Sequence, residues 1–529
     1  MILQRKLFDS STWLPRVALF ALSGLALLQS ILVIEGRSFQ TTDNGHKFSV
    51  QRESQKQTFT ADRKLDSWIQ YEYRYAVDHI IQNVLPNGAV LASPSKSHPD
   101  YYYHWVRDAG LTMDVLVQVL SDNTAQSQTS TTSSLIPLVE RYATFSKGIQ
   151  RVPNRSGGLG EPKWNVNGTA FNKNWGRPQN DSPAIRAYSL IRYANLLLDD
   201  SKSIRHLYKS EGFSSLIKED LEYVAHHWRN TGFDIWEEVE GSHFYTRMVQ
   251  RKALIEGAKL ARRVGDTGAA NYYQEQADEI TRTLSQFWDN SAGYLKVTID
   301  RTGGLDYKRS GLDVQIILAA LHAGLDDGLY TPESEQHMLK RDLYSDVSLL
   351  KVLATAISLN KQFASLYPIN SNGHPGIAIG RYPEDTYDGY DSNREGNPWP
   401  LATLAMSQIY FNLLNTWVKQ GYIPITKITA QLFNQANIQI PSTLNGQKYI
   451  TMSQHPSEFK NSVSSLLGVG DFYLDRVQVH TNQDGQMFEQ WNRYTGYGQG
   501  ATHLTWSYSA FVSAVRSRNQ AISLLKQIV

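Results

Sequence analysis

The sequence predicts an all-α fold for most of this 529-residue chain. From about residue 63 onward, apolar residues recur at steps of three and four, the spacing that places them on one face of a helix. In residues 62–84 this face comprises Leu65, Trp68, Ile69, Ala76, Val77, Ile80, Ile81 and Val84. Long loops rich in Gly, Pro, Asn and Trp separate the helical segments, and their aromatic content argues for functional rather than disordered segments.

The other helices follow from the same periodicity, with ends uncertain by ~2 to 4 residues. They are predicted near 108–121, 135–150, 182–199, 214–228, 243–264, 269–287, 312–323, 344–366, 399–419, 426–437, 458–480 and 503–526. The polar segment 122–134 is predicted to be a mobile surface loop. No repeat of fixed period and no second domain are evident.

Composition fits a globular protein with a substantial core. Hydrophobic residues make up 41% and charged residues 19% of the chain, which excludes extensive disorder. The net charge is only +2 and no Lys/Arg-rich run occurs, so we expect no nucleic-acid partner. The chain has no cysteine, which excludes disulfides and thiolate metal sites.

The N-terminus predicts a secretory route. Arg5, Lys6 and Arg16 precede an uncharged apolar stretch from 17 to 34, whose length lies between that of a secretory signal peptide and that of a membrane anchor. A buried core helix is the alternative, disfavoured because no polar face accompanies the run. We therefore assign residues 1–35 to a signal peptide or signal anchor. We expect a secreted protein, with membrane anchoring or a vacuolar location as alternatives.

A polar stretch connects the apolar segment to the folded body. Residues 36–62 lack a sustained period and are expected to form a leader or stem before one domain at 63–529. Three glycosylation sequons begin at Asn154, Asn167 and Asn180 and agree with a secretory route, although motifs this short also arise by chance. The third is followed by proline and lies in one of the aromatic loops described below, so we expect it to carry no glycan.

The stretch GFDIWEEVEGSHFY, residues 232–245, holds four acids around Trp236. Asp234 followed three residues later by Glu237 fits a capping box, and acids are favoured in the first turn of a helix. A plain helix start is therefore one interpretation of these acids. Catalysis is the other, and this stretch alone leaves both open.

Four loops share a composition that suits a sugar ligand. Residues 98–108, 158–181, 380–399 and 488–506 each mix Trp or Tyr with Arg, Asp, Glu or Asn. Aromatic faces pack on the C–H surfaces of sugars, whereas acids, amides and guanidinium groups pair with hydroxyls. The structural alternative is that these aromatic residues only plug the ends of a helical barrel.

Hydrolysis of a glycosidic bond needs two carboxyl groups, one protonated and one ionised. Glu237 and Glu489 are the best candidates, because each lies next to a tryptophan or within two residues of one. Their spacing does not show which of them donates the proton. Other chemistries find less support: His226 and His227 form no zinc-binding motif, and no nucleophile elbow G-x-S-x-G occurs. We expect neither a metal nor a cofactor.

Seven segments resemble, in order, the signature segments of the fungal glucoamylases of glycoside hydrolase family 15. They read DYYYHWVRD, GLGEPKWNVNGTAF, WGRPQNDSPAIRAY, GFDIWEE, GRYPEDTYDGY, GNPW and LTWSYSA. The resemblance is closest to yeast-type members and runs from about residue 63 to the C-terminus. It implies an (α/α)6 barrel, a ring of inner and outer helices with a pocket at one end. It also implies an exo-acting enzyme that hydrolyses starch, glycogen and maltooligosaccharides from their non-reducing ends, with inversion to β-glucose.

The resemblance further implies roles for single residues. Glu237 is similar to the family's general acid and Glu489 to its general base, while Asp234 resembles a supporting acid. The residues expected to hold the terminal glucose are Tyr101, Trp105, Arg107 and Asp108. Those expected around the cleavage point and the next sugar are Trp175, Trp236, Glu238, Arg381 and Trp399.

The chain also departs from many filamentous-fungal relatives, which have disulfides and a linker to a starch-binding domain. We therefore expect no separate starch-binding domain, and we expect a monomer. The rival functions are another (α/α)6 sugar enzyme, such as a trehalase or an inverting phosphorylase, and a glucan-binding relative without catalysis. A phosphorylase would need a cationic phosphate site in place of the base, so Glu489 argues against it. The presence of both Glu237 and Glu489 argues against a loss of catalysis.

Overall fold

The computed structural model describes most of the chain beyond the predicted stem. Its described residues are 63–125, 129–209, 215–324, 349–439, 444, 446–482 and 484–528. The apolar segment and stem predicted at 1–62 lie outside them. None of the helices in the described part has the length and apolar character needed to span a bilayer.

Six helices form a closed inner ring, in which each packs against the next and the last packs against the first. In ring order they are α2 (Val106–Ala125), α4 (Ser182–Asp199), α6 (Phe244–Arg263), α8 (Gln315–Ala323), α10 (Pro400–Gln420) and α13 (Thr505–Gln527). Helix α8 shows why such helices lie inside. Seven of its nine residues are buried, so the helix has no wide polar face to present to water.

Six further helices form an outer layer, each packed on one inner helix. They are α1 (Arg63–Gln82), α3 (Thr129–Ile149), α5 (Leu216–His227), α7 (Thr267–Thr283), α9 (Leu349–Leu366) and α12 (Pro456–His480). These helices are amphipathic: in α7, Tyr273, Ala277 and Ile280 are buried at steps of four and three. The two layers confirm the predicted (α/α)6 barrel. A thirteenth described helix, α11 (Lys427–Gln435), packs on α9.

The β-strands are short and belong to the loops. The antiparallel pairs are β1 (His104–Trp105) with β2 (Lys163–Trp164), β5 (Trp288–Asp289) with β6 (Tyr294–Leu295), β8 (Tyr422–Pro424) with β9 (Tyr449–Thr451), and β10 (Phe488–Trp491) with β11 (Gly498–Thr502). A three-stranded antiparallel sheet contains β3 (Gly232–Phe233), β4 (Val239–His243) and β7 (Thr298–Gly304). None of these strands is predicted from the sequence, since segments of two to seven residues are too short for a clear alternating pattern.

Two predictions about local structure are wrong. The segment 122–134 is largely helical rather than a loop, because α2 continues to Ala125 and α3 begins at Thr129. Its Ser, Thr and Asn residues have low helix propensity, but propensity is a weak preference that context overrides. The interpretation of Asp234 as the N-cap of a helix is also wrong, because residues 234–238 form the turn between β3 and β4 and the next helix begins only at Phe244.

All the predicted helices are present. The start of α3 lies six residues before the predicted one, and the other described ends are displaced by at most four residues. Residue 214, the predicted start of the helix at 214–228, lies outside the described residues. The same holds for residues 344–348, the first five of the helix predicted at 344–366. Two short 3-10 helices extend the pattern, Leu284–Phe287 after α7 and Pro368–Asn372 after α9.

Candidate active site

The segments that precede the six inner helices meet at one end of the ring. The contacts that join them are those of Trp105 and Gln179 with Glu237, Trp236 with Asp313, Arg381 with Glu238, and Tyr101 with Glu489. The N-termini of the inner helices, which carry unpaired N–H groups and partial positive charge, therefore lie at this end. Residues from loops far apart in sequence are thus brought into one site.

Glu237 lies in the turn between β3 and β4. Its φ of +67° lies in the left-handed region, which glutamate rarely adopts. Oε1 accepts hydrogen bonds from the Trp105 indole at 2.7 Å and from the Gln179 amide at 3.1 Å, and the Arg107 guanidinium lies 3.9 Å away. No described residue hydrogen-bonds Oε2, and the side chain is 17% exposed. One carboxyl oxygen is therefore open to a ligand.

Asp234 supports that turn. Oδ1 accepts from the backbone N–H groups of Glu238 at 2.8 Å and Val239 at 3.2 Å, and Oδ2 accepts from Lys308 at 3.1 Å and Gln315 at 3.2 Å. Burial acts to raise the pKa of Asp234, but the Lys308 ammonium and the backbone donors hold it well below its usual range. An ionised acceptor with four donors is unsuited to donate a proton, which agrees with a supporting role.

Glu489 is wholly buried in β10. The Tyr101 hydroxyl donates to Oε1 at 2.8 Å, the Ala501 N–H donates to Oε2 at 3.1 Å, and the Tyr387 hydroxyl lies 3.4 Å from Oε2. Burial raises the pKa of Glu489 to about 7, while these donors act to lower it. Gly500 leaves room for the carboxylate: its φ is +76°, and an added Cβ would lie 2.3 Å from Oε2.

Arg107 and Asp108 lie in the first turn of α2. The Arg107 guanidinium donates to Gln179 at 2.9 Å and to Asp181 at 3.2 Å, and its Nε lies 3.6 Å from Asp108. Burial raises the pKa of Asp108 to about 6, with Arg107 acting to lower it. Arg107 Nε and Asp108 Oδ2 have no hydrogen-bond partner within the described structure. Buried polar atoms of this kind are suited to bind ligand hydroxyls.

Arg381 contacts a second group of site residues, which we call the Arg381 wall. Its guanidinium forms a bidentate pair with Asp385 at 2.8 and 2.6 Å, and Nη2 lies 2.9 Å from Glu238. The same group lies over the rings of Trp236 and Trp399, 5.2 and 5.4 Å from their centroids. Fixed charges and aromatic faces therefore alternate on this wall.

Several residues of the site are not predicted from the sequence, which are Lys163, Gln179, Lys308, Asp313 and Tyr387. The Lys308 ammonium lies 2.8 Å from Glu238 and 3.8 Å from Asp313. Burial raises the pKa of Asp313 to about 7, and this carboxyl accepts from the Trp236 indole at 3.0 Å. Lys308 and Asp313 belong to YKRSGLD, a segment without the tryptophans that marked the other loops, so no sequence signal distinguished them.

A cavity of about 800 Å³ lies inside the ring, toward the C-terminal ends of the inner helices. Trp506 lines it and stacks on Trp236 with 6.1 Å between ring centroids. Neither Glu237 nor Glu489 lines this cavity, so the candidate chemistry belongs to the opposite end. Across the part of the chain that the structure describes, no cluster of His, Asp and Glu side chains is arranged to hold a metal ion.

Known proteins resemble this chain in sequence. The sequence profile of "Glycosyl hydrolases family 15" matches residues 71–516. The chain is 37% identical to "Glucoamylase 1" of Rhizopus oryzae, over 87% of this chain and 72% of the relative. It is 34% identical to "Glucoamylase GLU1" of Saccharomycopsis fibuligera, over 87% of this chain and 91% of the relative.

Solved structures of two glucoamylases also resemble the fold of this chain. The glucoamylase of Saccharomycopsis fibuligera superposes with a TM-score of 0.75 at 33% identity, covering 89% of this chain and 99% of that chain. The family 15 glucoamylase of Hypocrea jecorina superposes with a TM-score of 0.73 at 32% identity, covering 86% of this chain and 72% of that chain. This chain therefore belongs to glycosyl hydrolase family 15.

Proposed function

We propose that this protein is an inverting glucoamylase that releases glucose from the non-reducing ends of α-1,4-linked glucans. Starch, glycogen and maltooligosaccharides are its proposed substrates. One observation carries the proposal: Glu237 and Glu489 share one site but have different environments. Glu237 has an oxygen open to a ligand, whereas Glu489 is wholly buried among hydrogen-bond donors. Different environments let two carboxyl groups take opposite roles.

In the proposed reaction Glu237 is the general acid. Because Trp105 and Gln179 donate to Oε1, the proton resides on Oε2 and passes from there to the glycosidic oxygen as the bond to the anomeric carbon breaks. A water attacks that carbon from the opposite face, and Glu489 takes the water's proton. The donors around Glu489, including Tyr101, favour the ionised form that a base needs. No covalent sugar forms on the protein.

We assign substrate binding to two groups of residues, one that contains Arg107 and Asp108 and one that contains Arg381. Arg107 and Asp108 would pair with hydroxyls of the terminal glucose, and Tyr101 and Trp105 would pack beside it. The set proposed around the cleavage point and the next sugar is Trp175, Trp236, Glu238, Arg381 and Trp399. Trp175 Nε1 and Trp399 Nε1 are both buried without a hydrogen-bond partner in the described part of the chain, which supports a role for them as donors to sugar.

A product assay tests the proposal against a trehalase, an inverting phosphorylase and a non-catalytic relative. The purified protein is incubated with maltooligosaccharides or with trehalose, with and without phosphate. We expect glucose from maltooligosaccharides, independent of phosphate. Glucose mainly from trehalose, glucose 1-phosphate formed from added phosphate, or no product would each contradict the proposal.

We also propose that the protein is exported and acts as a monomer. The apolar stretch 17–34 and the sequons support export. Asn167 lies on an exposed turn, whereas Asn180 is 3% exposed and is hydrogen-bonded to Tyr223 and Thr231. Peptide mass analysis of protein secreted from yeast should therefore find a glycan at Asn167 and none at Asn180. Retention in the cytosol without a glycan would contradict export, and a dimer in light scattering would contradict the monomer.

A further inference from the structure

Four aromatic rings surround the Lys163 ammonium, and together they form what we call the box. Its ammonium is 4.3 Å from the ring centroid of Tyr103, 4.2 Å from that of Trp105, 4.4 Å from that of Phe171 and 3.6 Å from that of Trp175. Neighbouring rings of the box also contact one another, with centroid separations between 5.3 and 6.1 Å. The lysine is only 3% exposed.

The ammonium has no ordinary partner in this box. The described residues provide no hydrogen-bond acceptor or ion-pair partner for its Nζ. Burial lowers the pKa of Lys163 to about 8, with the Glu237 carboxylate acting to raise it. A buried charge is unfavourable unless it is compensated, and here the negative faces of the rings provide the attraction. An apolar side chain would fill the same box without this cost, so packing alone does not account for the lysine.

One ring of the box, that of Trp105, contacts the proposed general acid Glu237. Lys163 in β2 lies opposite Trp105 in β1. The Trp105 indole donates to Glu237 Oε1 at 2.7 Å, the shorter of the two hydrogen bonds to that oxygen. A cation on an indole face draws electron density from the ring and strengthens its N–H as a donor. The ammonium also fixes the ring of Trp175, which belongs to the set of residues proposed around the cleavage point and the next sugar.

We propose that Lys163 is a positioning residue for the acid-catalysed step of the proposed reaction. It fixes the indoles of Trp105 and Trp175, and Trp105 holds Glu237 with its open oxygen toward the glycosidic oxygen. The inference rests on the proposed function, which it deepens by assigning a residue that touches neither the substrate nor the reacting atoms.

Two substrates test this role. Lys163→Met removes the charge and keeps much of the side-chain volume, and Lys163→Arg keeps a cation that stacks on rings. For maltotriose, we expect Lys163→Met to lower kcat by about 10- to 100-fold, since a misplacement of ~1 Å can cost ~100-fold. Lys163→Arg should recover part of this loss. For α-D-glucosyl fluoride, whose fluoride leaves with little protonation, the loss should stay below about threefold because general acid catalysis contributes little.

The matched control is Lys351→Met. Lys351 is equally buried, at 3% exposure, and lies 5.3 Å from the Trp288 ring outside the site, so its variant should retain both activities. Equal losses of Lys163→Met on the two substrates, or an unchanged kcat for maltotriose, would overturn the proposal. A wild-type protein inactive on both substrates would instead overturn the proposed function.

A double-mutant cycle keeps the test decisive if Lys163→Met does not fold. Positioning through Trp105 requires that Lys163→Arg changes kcat for maltotriose in the wild-type background and much less in a Trp105→Phe background. Equal effects in both backgrounds would show that Lys163 does not act through Trp105, and the proposal would be wrong.

Discussion

The Tyr101 hydroxyl donates a hydrogen bond of 2.8 Å to Oε1 of Glu489. The Tyr101 ring also lies 5.5 Å from the ring of Trp105, whose indole donates to Glu237. One five-residue segment, 101–105, therefore contacts both glutamates of the proposed reaction. Because the segment runs directly into α2, the inner ring of helices sets the placement of the acid relative to the base.

Tyr101→Phe should shift the pH dependence of the enzyme. The tyrosine acts to lower the pKa of Glu489, which burial raises to about 7, so its removal raises that pKa further. A base must be ionised, so the acidic limb of the kcat/KM profile should move to higher pH, by about one unit for a lost hydrogen bond of ~1.4 kcal/mol. The profile is measured with maltotriose. An unchanged or lowered limb would contradict the assignment of Glu489 as base.

Glu237→Gln and Glu489→Gln should each lower kcat for maltotriose by at least about 100-fold, near the low end for general acid or base catalysis. Substrate binding should survive much better. α-D-Glucosyl fluoride separates the roles, because it depends on the base but little on the acid: Glu237→Gln should recover turnover and Glu489→Gln should not. Asp234→Asn should be milder than either change. If it proves the most damaging of the three, the wrong acid has been named.

Gly500→Ala should inactivate the enzyme while largely preserving its fold. The added Cβ would lie 2.3 Å from Oε2 of Glu489, so the carboxylate must move, and a shift of ~1 Å can cost ~100-fold in rate. Gly373→Ala is the control, since its φ of +77° is equally strained but an added Cβ there meets nothing within 4 Å. Similar kcat values for the two variants would show that the base does not depend on Gly500.

Glu72 should make stability fall as pH rises. This residue of α1 is fully buried, neither of its carboxyl oxygens has a hydrogen-bond partner among the described residues, and burial raises its pKa from 4.5 to about 8. Between these values the folded state holds a proton that the unfolded state has lost. The free energy of unfolding should therefore decrease toward pH 8, by up to about 1.4 kcal/mol per pH unit from this group.

Glu72→Gln should remove that slope. Its gain in stability over the wild type should be larger at pH 8 than at pH 5, as measured by urea unfolding in matched buffers. A difference between the two proteins that does not vary with pH would show that Glu72 does not titrate in this window.

The sequence predicted the helices well because their information is local. Steps of three and four residues place an apolar face wherever a helix packs, and the ring of α2, α4, α6, α8, α10 and α13 follows from such faces. Glu237 was found through its tryptophan neighbour and through the family resemblance. Its left-handed turn was not, because the four donors that hold Asp234 come partly from Lys308 and Gln315, more than seventy residues away.

Lys163 was not predicted from the sequence for the same reason, which is that contacts with residues distant in the chain set its environment. Lys163 reads as an ordinary charged residue between Pro162 and Trp164. Its burial depends on rings from two segments: Tyr103 and Trp105 lie about sixty residues earlier in the chain, and Phe171 and Trp175 follow in the same loop as the lysine. A contact that depends on a distant segment leaves no period or motif in the residues around the lysine, so only the folded chain shows it.

The stereochemistry of the released glucose tests the central claim most directly. If Glu489 activates a water on the face opposite the leaving group, the first product is β-glucose. Proton NMR during early hydrolysis of maltotriose, before mutarotation equilibrates the anomers, measures this outcome. We expect the β-anomer signal to rise first, with the α-anomer following only as mutarotation proceeds. Initial α-glucose, or a glucosyl adduct trapped on Glu237 or Glu489, would contradict the mechanism.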